Sequence, residues 1–414
     1  MNRKNLLARA AFAALLAISI ALSLASAVAA ATESLRPAVG KPLQAAQKLI
    51  QSRKFKEALG PIAEAEKVSG QTEYERFVTA RMKGAALAGA GDPDGSAAAF
   101  ESVLASKRLS RDERLNVIEG VAGAYFRAQK YPKAAQWVRT YEAQGGRSPA
   151  VLNLLPQAHY LAGDFPRAAQ EMAARVAAIE KSGGKPDEDQ LKLLASSLQK
   201  TGDATGYART LQSLVRYYPS PAYWADVIQR TANRPGVSRN LELDSYRLMH
   251  ATGTLTQARD YMEAAQLAVQ AGLPGEARRY VSEAYDKQVF GSGEASKTER
   301  QARLRTLIDK KVADDRKIIS GTDADAAKAP GGDALVRTGM AYVTYGEFQK
   351  GIAMMEQGIR KGGLKFADQS RLHLAYAYFL AGDESKARAA LGEVQGSDGA
   401  ADFARLWGIA LAQG

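Results

Sequence analysis

The chain has 414 residues, 46% hydrophobic, 7% aromatic and 24% charged, and its 56 Lys and Arg against 44 Asp and Glu leave a formal net charge of +12. It contains no cysteine, which excludes disulfides, thiolate metal sites and thiol nucleophiles and leaves packing alone to hold the fold. Alanine-rich periodic segments with Gly and Pro gathered between them, and almost no strand pattern, predict a mostly helical body.

The chain opens on Arg3, Lys4 and Arg9, followed by an apolar stretch from Ala10 to Leu24 and then Ala27-Val28-Ala29-Ala30-Ala31. A basic start, an apolar core and small residues at an A-x-A site describe a secretory signal peptide over residues 1–31, cut after Ala29 or Ala31 to leave a start near Thr32. The alternative is an uncleaved inner-membrane anchor, since the apolar run approaches the ~18–20 residues that span a bilayer. No cysteine follows the apolar core, so a lipid-anchored lipoprotein is excluded. Removal of residues 1–31 takes away three positive charges and no negative ones, lowering +12 to +9. The expectation is a basic periplasmic protein, open by charge to an anionic membrane surface, acidic polysaccharide or acidic protein, and not to nucleic acid.

Over residues 32–218 a short pattern returns: a small residue, an aromatic, a Gly-Asp or equivalent turn, a second aromatic, then Ala. It reads Ala124-Tyr125 … Lys130-Tyr131-Pro132-Lys133-Ala134 and, 34 residues later, His159-Tyr160 … Gly163-Asp164-Phe165-Pro166-Arg167-Ala168. Weaker copies centre on Ala46, Leu49 and Ala58, on Gly84, Leu87 and Phe100, and on Ala195, Leu198 and Leu211. Downstream copies centre on Ala265, Ala268 and Ala277, on Gly339, Tyr342 and Met355, and on Ala375, Tyr378 and Ala387. With this period and these small and large positions the chain resembles the tetratricopeptide repeat family. The resemblance implies an all-α fold, an α-solenoid of about eight degenerate helix-turn-helix repeats forming a superhelix. Small residues let the two helices of a unit approach, larger ones fill the seam to the next unit, and no unit buries its apolar face alone.

Within that pattern, Gly91-Asp92, Gly163-Asp164, Gly202-Asp203 and Gly382-Asp383 pair a helix-ending glycine with an aspartate suited to start the next helix. These aspartates are turn residues, not metal ligands. Pro156 falls where a helix interior is expected and predicts a kink.

Residues 219–319 read as an irregular or expanded region, beginning Pro219-Ser220-Pro221-Ala222-Tyr223-Trp224 and containing Arg234-Pro235-Gly236. A charged helix from Lys297 to Lys317 lies at its end. Residues 320–332, rich in Gly, Ala, Asp and Pro, predict a flexible linker before a C-terminal pair of repeats over 333–414.

Catalytic chemistry finds little support. His159, His250 and His373 lie far apart, and none belongs to His-Glu-x-x-His. His159 and His373 are expected as packing or surface residues. No nucleophile elbow, phosphate loop or dinucleotide fingerprint is present. Ser197-Leu198-Gln199-Lys200 and Lys200-Thr201-Gly202 mimic two motifs of penicillin-interacting serine enzymes, but they share Lys200, whereas those enzymes bring the two motifs together from separate elements. No catalytic residue, metal site or cofactor is therefore expected.

The resemblance instead implies binding along the first helix of each repeat. Mapped onto this chain, the polar or aromatic groove positions include Arg81, Arg127, Asn153, Gln157, Tyr160, Lys192, Ser196, Lys200 and Gln266. Amides that hold a backbone, with Arg and Lys for acidic groups, suit an extended peptide. The asparagines with which some family members clamp a terminal carboxylate are missing, so that narrower role is rejected. The resemblance implies an exported, non-catalytic adaptor that binds a protein or peptide of the cell envelope. Two alternatives are glycan contact around Tyr223 and Trp224 in cell-wall or exopolysaccharide machinery, and a membrane-anchored subunit of a TonB-type energised complex.

Overall fold

The structure, a computed structural model, describes residues 33–413, so the signal peptide expected over 1–31 lies outside the described residues. Among the described residues every regular element is a helix. They divide into two compact units: one takes the residues up to Gly184 together with Lys192–Asp203, the other Lys185–Leu191 and Ala204 onward.

The first unit contains α1 (Pro37–Gln51), α2 (Phe55–Glu66), α3 (Glu73–Ala90), α4 (Pro93–Ala105), α5 (Arg111–Arg127), α6 (Tyr131–Ala143), α7 (Pro149–Leu152), α8 (Leu154–Leu161) and α9 (Phe165–Lys181). Helix α10 (Glu188–Thr201) is divided between the units at Lys192. Successive helices pack as hairpins across short turns, α1 on α2, α3 on α4 and α5 on α6.

The expected turn chemistry is present. Gly91 closes α3 at φ +86°, a left-handed conformation that an L side chain adopts only under strain. Asp92 then accepts the Gly95 N–H at 2.9 Å to start α4, as Asp164 accepts the Arg167 N–H at 3.3 Å to start α9. Thr72 with Glu75, and Ser110 with Glu113, form reciprocal capping boxes at the starts of α3 and α5. Pro156 also acts as expected. Lacking an N–H, it cannot bond the Leu152 carbonyl, and the chain breaks there into α7 and α8.

The small positions of the repeat are the most buried. Ala46, Ala58, Ala122 and Ala134 have no exposed surface, and Ile62, Val121, Val138 and Leu155 pack around them. Each such aliphatic chain contributes about 1.5–3 kcal/mol on leaving water.

The second unit contains α11 (Ala204–Tyr217), α12 (Pro221–Ala232), α13 (Glu242–Ala251), α14 (Ala258–Gln270), α15 (Pro274–Asp286), α16 (Ala295–Ile318), α17 (Asp323–Lys328), α18 (Asp333–Thr344), α19 (Phe348–Lys361), α20 (Ala367–Leu380), α21 (Glu384–Gly392) and α22 (Ala400–Leu411). Its organisation differs from the expectation in three places. Residues 219–319 are regular helices for most of their length: Pro221 opens α12 at a position where its missing N–H costs nothing, and Ser220 caps it by accepting the Tyr223 N–H. Residues 320–332 are built into the unit and not a linker. They form a 3-10 turn and α17, with Ala326 buried, Asp323 accepting the Tyr342 hydroxyl at 2.8 Å, and Lys361 Nζ donating to the Ala327 carbonyl at 2.7 Å.

The third difference is that the C-terminal repeats pack on the start of the same unit. The Ser238 N–H donates to the Asp398 carbonyl at 2.7 Å, the Gln413 amide to the Val215 carbonyl at 2.5 Å, and α22 lies against α11, α12 and α13. The boundary thus falls around residues 185–203, not at 218 or 332. Gly and Pro serve caps and close helix approaches here as readily as they serve loops, which is why composition alone misplaced it.

Candidate functional site

The residues named from sequence for a groove fall mainly in the first unit. Arg81 on α3 faces Glu113 of α5 at 3.3 Å. Asn153, Gln157 and Tyr160 follow one stripe along α8 and its preceding break, all half-buried. Lys192 and Ser196, half-buried, and Lys200, exposed, form the matching stripe on α10. The Tyr160 and Ser196 hydroxyls meet at 2.8 Å and join these two stripes, while Phe165 sets its ring edge-on to Tyr160 at 5.3 Å. Gln266 is half-buried on α14 and belongs to the second unit.

Arg127 ends α5 and leads to residues that the sequence reading passed over. On the same face of α5 lie Asn116, Glu119, Gly120 and Gly123, spaced as residues on one side of a helix are. Above Gly120 there is no atom within 4 Å, and above Gly123 only the Arg127 guanidinium, so this face is uncovered. Neither Glu119 nor Arg127 has an ion-pair partner among the described residues. Burial pushes the Glu119 carboxyl up from its ordinary value, with no cation nearby to offset it. The i, i+3, i+4 spacing on the first helix of that repeat was the signal that could have found them.

Two of the three histidines meet a carboxylate, and the third, His159, keeps a buried Nε2 with no hydrogen-bond partner among the described residues. His159 is buried, with Nδ1 at 3.9 Å from Asp164, and burial pushes it down. His250 Nε2 meets Glu283 at 2.6 Å, and His373 Nε2 meets Asp244 at 3.0 Å.

His373 belongs to a buried polar cluster in the second unit that the sequence reading did not anticipate. Arg247 on α13 lies between Asp244 at 2.9 Å and Glu276 of α15 at 2.7 Å, and all three side chains are 1% exposed. The Arg247 guanidinium also stacks on the Tyr376 ring of α20 at 4.8 Å, and Tyr280 donates to Glu276 at 3.1 Å. Burial alone would neutralise these groups. The Glu276 and Asp244 charges hold Arg247 well above its ordinary value, and Arg247 in turn holds Glu276 down. Arg279, at 3.7 Å from Glu276 and donating to the Tyr376 hydroxyl, supplies a second cation for the two carboxylates, so the cluster joins three helices as an internal ionic network.

Nearby, Trp224, Phe379, Trp407, Pro219 and Glu384 line a cavity of about 430 Å³. Trp224 and Trp407 are only 4% and 3% exposed, and the Tyr223 hydroxyl is tied to Glu188 at 2.7 Å. The two tryptophans are thus mostly core, and Tyr223, whose ring is half-buried, is the more exposed of the two residues named for glycan contact.

A profile of the family described as tetratricopeptide repeat matches residues 193–221. No curated protein sequence matches the chain. Among solved structures, the chain is similar to the structure of Naa15/Naa10 bound to HypK-THB, at 13% identity over 88% of this chain and 70% of that one, with a TM-score of 0.27. It is also similar to the maize pentatricopeptide repeat protein PPR10, at 13% identity over 88% of this chain and 61% of that one, with a TM-score of 0.33. Residues 193–221 are thus similar to a single tetratricopeptide repeat, and helical hairpins precede and follow that segment.

Proposed function

We propose that the chain is a non-catalytic scaffold that holds an extended segment of a partner protein against the uncovered face of α5 and the half-buried stripes of α8 and α10, and that it works outside the cytoplasm. One observation carries the reading: on α5 two partly desolvated charges without ion-pair partners, Glu119 and Arg127, flank the bare surface of Gly120 and Gly123. Eight residues of helix separate the two charges, about 12 Å. An extended peptide advances ~3.3 Å per residue, so about four of its residues bridge them, a basic side chain at Glu119 and an acidic one at Arg127. Neighbouring stripes supply the Gln157 amide, the Tyr160 hydroxyl and Lys192 for the rest of the segment. The basic-apolar-small pattern over residues 3–31 supports export.

The test is photo-crosslinking in cells from Gln157 and Lys192, with a probe on the opposite helix faces as control. A discrete protein adduct from the groove probes, absent from the control and lost in Arg127→Glu, is the expected outcome. Equal labelling from both faces, or none from the groove, overturns the peptide reading. Sequencing the mature N-terminus tests export: a start near Thr32 in the periplasmic fraction supports it, and an intact leader on a cytoplasmic protein overturns it.

A further inference from the structure

Helix α16 is the longest among the described residues, and it has one buried stripe, Gln301, Leu304, Ile308 and Val312, which packs on α15. Most of the rest of the helix faces solvent, apart from Asp315, which accepts the Tyr345 hydroxyl at 2.6 Å, and Arg305 and Arg316, which lie over the Tyr285 and Tyr345 rings. Cations outnumber acids on it eight to four, and Arg300, Lys310 and Lys311 have no acidic partner among the described residues. The remaining charges on that side are tied locally, Arg303 to Glu299 at 3.1 Å and Lys317 to Asp314 at 3.7 Å.

The same side carries two of the three exposed large hydrophobic side chains of the described molecule, Leu307 at 48% and Ile318 at 61% exposure. Eleven residues apart, they stand within ~20° of one line along the helix and about 16 Å from one another. Cations flank that line.

We propose that this face of α16 docks on an anionic lipid surface, with Leu307 and Ile318 entering the headgroup boundary and Arg300, Lys310 and Lys311 meeting lipid phosphates. The spacing decides between a lipid and an acidic protein. A protein hot spot needs contiguous apolar area around a desolvated centre. Two isolated side chains about 16 Å apart cannot form one centre, yet both can enter a plane together while the lysine and arginine stems lie along it. Unpaired cations beside the plane add attraction that salt screens. The inference is independent of the peptide groove in the first unit.

Vesicle flotation of the full chain tests it, using phosphatidylcholine–phosphatidylglycerol vesicles against phosphatidylcholine alone. Two combined variants are compared: Arg300→Glu with Lys310→Glu and Lys311→Glu, and Leu307→Ser with Ile318→Ser. All these positions are exposed, so both variants should keep their helical circular dichroism. Expected is salt-sensitive binding to the anionic vesicles alone, reduced about tenfold or more by the charge reversals and also weakened by the serine pair. The inference is overturned if the wild-type chain does not prefer anionic vesicles, or if both variants float as it does, which would leave the attachment to another part of the chain. Binding to polyglutamate without binding to vesicles overturns it in favour of an acidic protein partner. Photo-crosslinking from Gln157 should be unchanged in either variant, which keeps this result separate from that of the groove.

Discussion

Gln129 occupies the turn between α5 and α6 at φ +60°, the place that Gly91 and Gly163 hold in neighbouring hairpins. The turn is otherwise the same: the Gln129 N–H bonds the Phe126 carbonyl at 3.0 Å and the Lys130 N–H bonds the Tyr125 carbonyl at 2.9 Å. An L side chain in that conformation costs roughly 1–2 kcal/mol, against the ~0.5–1 kcal/mol of extra chain entropy that glycine loses on folding. Gln129→Gly should therefore stabilise the chain by about 0.5–1 kcal/mol, measured as a higher denaturation midpoint at unchanged slope. A lower midpoint would mean that the Gln129 side chain holds the turn. Glu75 offers a second test at this scale. Its carboxylate receives the Arg36 guanidinium at 2.8 and 2.9 Å and the Arg36 and Thr72 N–H groups at 3.0 and 2.9 Å. The bond from Arg36 first, then that from Thr72, lowers it from 4.5 to about 2. A depressed carboxylate contributes fully above its unfolded value and loses that contribution as pH falls through its folded one. The stability gap between the wild type and Glu75→Gln should be constant above pH 4.5 and shrink steadily toward pH 2. A gap that ignores pH would show that the ion pair contributes nothing. The capping boxes were legible as short motifs, whereas the Arg36–Glu75 pair spans 39 residues and has no local signature.

At the scale of the element, two helical glycines should respond to the same substitution with opposite sign. Alanine in an exposed helix interior is favoured over glycine by about 1 kcal/mol. Gly120 on α5 has open space where a Cβ would stand, so Gly120→Ala should gain up to that amount. Gly351 on α19 faces Gly339 of α18, and a Cβ there would lie 2.5 Å from the Gly339 carbonyl oxygen. Backbone cannot yield as a flexible side chain can, so Gly351→Ala should cost about 1–3 kcal/mol despite its better propensity. Thermal or denaturant melts of the two variants decide it, and a stabilised Gly351→Ala would mean that α18 and α19 are not in contact. The helices, their turns and the Pro156 break were readable from periodicity and from glycine, aspartate and proline chemistry, which act within a few residues. The closeness of α18 and α19 was not, because a glycine that permits a turn and a glycine that admits a neighbouring backbone are the same letter. The same limit applies to the residues named for a groove. Spacing places Arg81, Gln157 and Ser196 on one side of their helices, but it does not reveal that Arg81 is already paired or that Glu119 is not.

At the scale of the whole molecule, the question is whether the last repeats are a separate domain. Composition over residues 320–332 reads as a linker, and Arg247 argues against it. This side chain from α13 is satisfied by Asp244 and by Glu276 of α15, and its guanidinium lies on the Tyr376 ring of α20, while His373 of α20 bonds Asp244. Removing one member of a buried ionic cluster leaves its partners desolvated and unpaired, at a cost of about 3–5 kcal/mol. Arg247→Ala should therefore do more than loosen α13. Hydrogen exchange in the full chain should show protection falling together in residues 242–251, 274–286 and 367–380, since all three helices share the orphaned carboxylates. The hairpins of the first unit, α3 to α6, should keep theirs. Unchanged protection in 367–380 would identify the C-terminal repeats as an independent body joined by a true linker. Coupled loss would mean that the second unit folds as one piece, because a repeat array whose end packs on its own beginning is no longer a sum of nearest-neighbour contacts.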